Sequence, residues 1–249
     1  MLRNIFSHAK QHIIYQLMNA EIKNYPFEHL SVDSIFPPEF YDDLQFFLPK
    51  NENLIPLNKT GRVGEQYSSQ RLVLFPNSPE LNSLEEEQKL FWQNLFSIFA
   101  DGQIDKIFMK KFARTIGKRY EKAGKLVDAV ERNNHYFLMR DLDHYALGPH
   151  TDSLKKLVSV LFYLPKNNAN GNIGTSFYWP KDSSFRCAGG PHHRFEDYEL
   201  IYTFPFKPNS LLAFAKSDYS FHGVEPLENP DIQRDILLFD IEVPSLLPV

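Results

Sequence analysis

After residue 130 the chain breaks into short apolar runs: HYFLMR, KLVSVLFYLP, TSFYWP, YELIYTFPF, NSLLAFA, SFHGV and RDILLFDIEV. Clusters of Gly, Pro, Asn and Asp separate them. Short runs with turn signals between them predict an all-β barrel or sandwich. The stretch ILLFDI is apolar on both faces, so its strand needs cover on both sides.

The first 120 or so residues supply that cover, because they read mostly helical. Ile5, Ala9, His12, Ile13 and Gln16 follow roughly helical spacing. FPPEFYDDLQFFLP has early prolines and acids, apolar Phe40, Leu44 and Phe47, and a stop at Pro49. Ser83-x-x-Glu86 reads as a capping box opening a helix through Leu90, Leu95, Ile98 and Phe99. A further helix runs from Ile104 and closes at Gly124. The two later helices are expected to pack together on a sheet. Between the early and later helices, PLNKTGRVGEQYSSQRLVLFPN reads either as a surface loop or as a segment covering a site. A boundary near residue 125 is conceivable, but the helices need the sheet. The expectation is one domain over residues 1–249: helical support over 1–125 and a β core over 130–245.

Composition narrows the function classes. With 249 residues, 43% hydrophobic and 23% charged, the chain is an ordinary globular one, long enough for a barrel with packed helices. Net charge is −4, so no nucleic acid or anionic membrane is expected as a partner. Cys187 is the single cysteine, which excludes an internal disulfide and a cysteine zinc cluster. The N-terminal stretch holds no apolar run long enough for a signal core, no run approaches a bilayer span, and the expectation is a cytoplasmic protein.

The chemistry-bearing residues lie in the second half. In extended backbone His150 and Asp152 share a face, so an imidazole and a carboxylate could grip one metal ion while Thr151 points away. The ordinary alternative is a polar turn before a strand. His222 lies 72 residues after His150, inside a short apolar run. Two histidines and one carboxylate leave three metal positions open, the pattern of non-haem Fe(II) oxygenases. Arg234 follows 12 residues later and begins the strand of Ile236, Leu237, Leu238 and Phe239. Arginine entering an apolar strand needs an anion. That anion could be a ligand carboxylate, or simply Asp231 or Asp235.

These pieces, in the order PHTD, LFYLP, GTSFYWP, NSLLAFAKSDYSFHGV and Arg234, resemble the 2-oxoglutarate and Fe(II)-dependent oxygenases, particularly their prolyl-4-hydroxylase-like bacterial branch. The resemblance covers about residues 134–243. It implies a double-stranded β-helix, a jelly-roll or cupin-like barrel, mainly β, with helices packed on one sheet. It implies Fe(II), 2-oxoglutarate and O2 as cofactors and co-substrates. His150, Asp152 and His222 would be the catalytic iron ligands, and Arg234 would hold the distal carboxylate of 2-oxoglutarate. Tyr163 corresponds to a tyrosine that touches the same carboxylate, and Ser159 shares its face of the strand. Tyr163 could equally be a core tyrosine. Asp152 favours hydroxylation over halogenation, since related halogenases lack that carboxylate.

The sequence departs from the branch in two places. The usual tyrosine about ten residues before the first histidine falls near Arg140, leaving Tyr136 or Tyr145 as substitutes. No serine stands two residues after Arg234, where Ile236 is found. Nearby, His192, His193 and Arg194 read either as a surface loop or as substrate contacts. Lys156 reads as a solvated lysine, and Tyr178 and Trp179 as core packing. The expected reaction is hydroxylation of a small-molecule, peptide or glycan substrate. The alternatives are a ligand- or metal-binding barrel without turnover and a zinc hydrolase, although no His-Glu-x-x-His pattern is present.

Overall fold

Alternation along one strand decides how the layers stack. In β11 (Arg234–Glu242), Leu237, Phe239 and Ile241 join an apolar core shared with the helices, while Arg234, Leu238 and Asp240 line a cavity on the opposite face. Successive side chains of a strand point to opposite sides, so this one segment divides the molecule into a helix side and a barrel interior.

The computed structural model describes residues 2–121, 131–168, 171–228 and 231–244. The helices are α1 (Leu2–Asn19), α2 (Pro38–Phe46), α3 (Pro79–Asn82), α4 (Glu86–Ala100), α5 (Gln103–Lys111) and α6 (Ala113–Glu121). The other strands are β1 (His29–Asp33), β2 (Ile55–Pro56), β3 (Arg71–Leu74), β4 (Asn133–Asp141), β5 (Leu147–His150), β6 (Lys156–Tyr163), β7 (Ser176–Pro180), β8 (Tyr198–Thr203), β9 (Ser210–Ala215) and β10 (His222–Val224). Seven strands form one antiparallel sheet in the order β1-β9-β6-β11-β4-β3-β2, and four form a second in the order β5-β10-β7-β8. From β4 onward the chain crosses repeatedly between the two sheets, which is the winding of a double-stranded β-helix. The fold is therefore mainly antiparallel β with helices on one sheet, as the sequence predicts.

The helices cover the outer face of the larger sheet. Phe6, Ala9, Ile13 and Leu17 of α1 and Phe91, Leu95, Ile98 and Phe99 of α4 enter the same cluster as Val160, Phe162, Leu237 and Phe239. The buried stripe of α1 is thus shifted by one position from Ile5, and His12 and Gln16 flank it. Inside the barrel, aromatic residues such as Phe27, Phe177, Phe204 and Phe214 fill part of the interior. Among the described residues, no helix is long and apolar enough to cross a membrane.

Three local expectations are corrected. Ser83 does not cap α4. Ser78 caps the short α3 by accepting the Leu81 N–H at 3.2 Å, and Ser83 follows that turn and donates to Glu80 O. Ser78 directly before Pro79 is the stronger start signal. The helix from Ile104 is broken at Phe112. Phe108, Phe112, Ile116 and Tyr120 are all buried, and a strict four-residue spacing drifts around a straight helix, so the break returns them to one core. Gly124 lies outside the described residues. The segment ending in RLVLFPN contains β3, whose four residues are all buried.

At one end of the larger sheet charge replaces grease. Arg140 faces the helix side, not the cavity, and donates to both oxygens of Asp235 at 2.7 and 3.2 Å. It also donates to Pro49 O and Asn51 Oδ1, each at 2.8 Å. Both partners are buried, so removing one leaves an uncompensated charge. Asp235→Ala should lower unfolding free energy by about 3–5 kcal/mol, and Arg140→Met/Asp235→Leu by clearly less, as read by denaturant unfolding.

Candidate metal centre and arginine cluster

The smaller sheet brings the two histidines together. His222 on β10 is the direct cross-strand partner of His150 at the end of β5. Gly223 permits this close pairing, since a Cβ there would lie 2.4 Å from Leu147 O; Gly148 lets the His193 loop close on β5, since a Cβ there would lie 2.3 Å from His193 O. Asp152 follows β5 by two residues and returns to the same face, while Thr151 Oγ1 turns away to donate to Cys187 O at 2.7 Å. Ligand atoms of His150, Asp152 and His222 all lie within 4.8 Å of one another, and each residue is at least nine-tenths buried.

The donor set itself fits a metal. His150 Nδ1 donates to Gly148 O and His222 Nδ1 to Ser220 O, each at 3.0 Å. A carbonyl can only accept, so both Nε2 atoms keep their lone pairs. Burial, with the neighbouring His222, holds His150 well below the usual histidine range. Burial also lowers His222, so both imidazoles stay neutral, as ligands must.

Asp152 is oriented from both sides. Ser159 Oγ donates to Oδ2 at 2.8 Å, and Lys156 Nζ sits 2.9 Å from Oδ1. Burial alone would raise this carboxyl; Lys156 and the two histidines override it and hold the group below the carboxylate range. Lys156 is not solvated: its side chain is 15% exposed and also meets Asp240 Oδ2 at 3.0 Å. Burial works against the ammonium, but the two carboxylates more than offset it. Arg119 of α6 donates to Leu154 O and Lys156 O, tying this segment to the helix layer.

Arg234 meets neither Asp231 nor Asp235 in the contacts that define its setting. Its guanidinium donates to Asp141 Oδ2 at 2.7 Å, Ile173 O at 2.8 Å and Thr175 Oγ1 at 3.1 Å. Asp141 also accepts from Arg71 Nε at 2.6 Å and Nη2 at 3.0 Å. The three residues sit level on β3, β4 and β11. Two buried guanidiniums therefore share one carboxylate, leaving one positive charge in excess. Arg71 stacks on Tyr145 at 4.2 Å and donates to the Tyr67 hydroxyl, which is hydrogen-bonded to Tyr145. Tyr163 is buried beside Arg234, and its hydroxyl accepts the Thr175 N–H at 3.1 Å. Ser159 and Tyr163 share a strand face but serve opposite ends of it.

One cavity of about 740 Å³ connects the ends, lined among others by His150, Asp152, His222, Arg71 and Arg234. Arg62, Val63 and Tyr67 line it from one loop, and Gly189, Gly190 and His192 from another. His192 stands 4.7 Å from His150, ring to ring. His193 turns the other way, into an aromatic cluster with Phe185, Tyr198 and Phe221. Arg194 pairs with Glu196 on the surface. Tyr136 packs against Phe96, Phe99 and Phe239 on the helix side, away from the cavity. Tyr178 is buried, with its hydroxyl on Glu225, and Trp179 packs against Tyr219.

Sequence reasoning missed Arg71, Asp141 and Asp240. Asp240 carried a signal, as an acid inside ILLFDI, and Arg71 carried another, as a charge opening RLVLF. Asp141 carried none, because MRDLD reads as an ordinary turn entry.

No protein-family model matches the chain, and no curated protein matches its sequence. Among solved structures it is similar to a Pseudomonas putida prolyl-4-hydroxylase at 12% identity and a TM-score of 0.49, over 95% of this chain and 100% of that one. It is also similar to the epimerase SnoN, crystallised with Fe3+, alpha-ketoglutarate and nogalamycin RO (8% identity, TM-score 0.48, 95% of this chain and 84% of that one). A 2OG-Fe(II) oxygenase family oxidoreductase from Burkholderia pseudomallei matches at 13% identity and a TM-score of 0.45, over 86% of this chain and 84% of that one.

His150→Ala and His222→Ala should each abolish binding of Co(II) at stoichiometric concentration, read by its visible spectrum. Ser159→Ala should weaken Co(II) about 10-fold through the lost support of Asp152.

Proposed function

We propose that the chain is a non-haem Fe(II) dioxygenase that couples oxidative decarboxylation of 2-oxoglutarate to hydroxylation of a small-molecule, peptidyl or glycan substrate. One observation carries the reading: a two-histidine, one-carboxylate triad and an arginine cluster one charge short of neutrality open into the same cavity. The triad type leaves metal positions open for a chelating keto acid and dioxygen. The cluster is suited to a carboxylate at the chelator's far end.

In this reading His150, Asp152 and His222 hold the iron through Nε2, a carboxylate oxygen and Nε2. When bound, iron supplies the oxygen chemistry linked to loss of carbon dioxide from 2-oxoglutarate. The chain supplies orientation. Ser159 and Lys156 fix Asp152, so Ser159 acts at the metal end and does not grip the co-substrate. Arg234 binds the distal carboxylate, and Arg71 binds it with Arg234, since Asp141 holds the two guanidiniums level. Tyr163 and Thr175 fix Arg234 from behind. The aromatic filling of the barrel keeps water from the inner end.

The test begins without oxygen. Fe(II) and 2-oxoglutarate added to the purified chain should give the visible charge-transfer band of the chelate, and air should then yield succinate. A chain giving neither would be a metal-binding barrel without this turnover. Arg234→Ala and Arg71→Ala should each raise the 2-oxoglutarate concentration for half-saturation about 10–100-fold, the worth of a charged hydrogen bond, with Co(II) binding unchanged. Equal loss of metal and co-substrate would refute the assignment of these arginines.

A further inference from the structure

Asp240 holds a buried acceptor without a partner. The residue is 5% exposed, lines the cavity and lies level with Ser159 across the β6–β11 pair. Its Oδ2 meets Lys156, but its Oδ1 makes no hydrogen bond. A buried carboxylate oxygen left unpaired is destabilising, and such groups are ordinarily satisfied by a partner, water or ligand. Lys156 is already placed between Oδ2 and Asp152 Oδ1.

Charge states what kind of partner fits. Around the triad stand Asp152 and Asp240 against Lys156. An unpaired carboxylate oxygen can only accept a hydrogen bond, so the group that satisfies Oδ1 is a donor and not another carboxylate. Glu242, two residues along the same face of β11, also lines the cavity and adds negative potential. At Asp240 Oδ1 the wall beside the triad therefore offers a hydrogen-bond acceptor, in contrast to the donors of the Arg71–Arg234 end.

We propose that Asp240 Oδ1 is the recognition point for a hydrogen-bond donor on the primary substrate, a protonated amine or a hydroxyl. The inference rests on the function proposed above, because it places that group next to the reacting centre. The ammonium shared by Asp152 and Asp240 puts the two carboxylates side by side, so a donor held on Oδ1 is held beside the triad. This narrows the substrate to a polar, amine- or hydroxyl-bearing small molecule or residue.

Three ring probes of one shape test this: cyclohexylammonium, cyclohexanol and cyclohexanecarboxylate. Each is titrated calorimetrically into the chain loaded with Fe(II) and 2-oxoglutarate without oxygen. The ammonium and the alcohol should bind at least tenfold more tightly than the carboxylate. Asp240→Asn should weaken the ammonium at least tenfold while the visible chelate band persists. Equal, reversed or absent binding of the three overturns the inference, as does undiminished ammonium binding by the variant. Should Asp240→Asn fail to fold, the order of the probes on the unaltered chain decides. A missing chelate band together with the expected probe order on the unloaded chain would fault the proposed oxygenase function and leave the Asp240 site standing.

Discussion

Asp141, caught between Arg71 and Arg234, is the contact on which the inner end of the cavity depends. Three adjacent strands contribute one residue each at the same level, so the ladder that aligns β3, β4 and β11 also aligns the charges. A single arginine there could be neutralised by Asp141 and would need nothing more. The second arginine makes the cluster cationic, and a buried excess charge is tolerated only if an anion comes to meet it. On the reverse face of the same strand ends, Arg140 and Asp235 form a closed pair with no excess. The sheet thus uses two ion clusters at one end, one complete and one left open.

The opposite end of the cavity is built with the signs exchanged. Two carboxylates share Lys156 there, and acids in place of arginines face the cavity. Strand alternation imposes this arrangement, since every second residue of β6 and β11 must face inward whatever its chemistry. Ser159 and Asp240 occupy inward positions that apolar residues would fill in a barrel built only for stability. Their outward neighbours Val158, Val160, Phe239 and Ile241 pack against the helices instead.

Much of this was legible. The β core was readable because β6, β9 and β11 are apolar runs bounded by turn residues, and the histidines and Asp152 because the extended i, i+2 spacing is local. The short strands β1, β3 and β5 were not, since four or five residues with a His, Arg or Pro among them give no periodic signal. Arg71 and Asp141 failed for a different reason: their meaning lies in cross-strand register, which pairs residues 70 positions apart. Lys156 read as solvated because a lysine at the start of an apolar run ordinarily reaches water, and only the arrival of Asp240 from β11 encloses it. The mistaken capping box shows the limit of a local motif when a stronger one, Ser78-Pro79, stands five residues earlier.

The cavity mouth is framed by two segments remote in the chain, one carrying Arg62 and Tyr67, the other Gly189 and His192. His192 contacts the edge of Tyr67, so the rims meet above the triad without contributing to it. Neither rim lies within the sheet ladders that fix the triad and the arginines. Lineages of such a scaffold can exchange their rims to admit new molecules while keeping the sheet ladders, provided the new rim still meets Arg71 where Tyr67 does and Thr151 where Cys187 does.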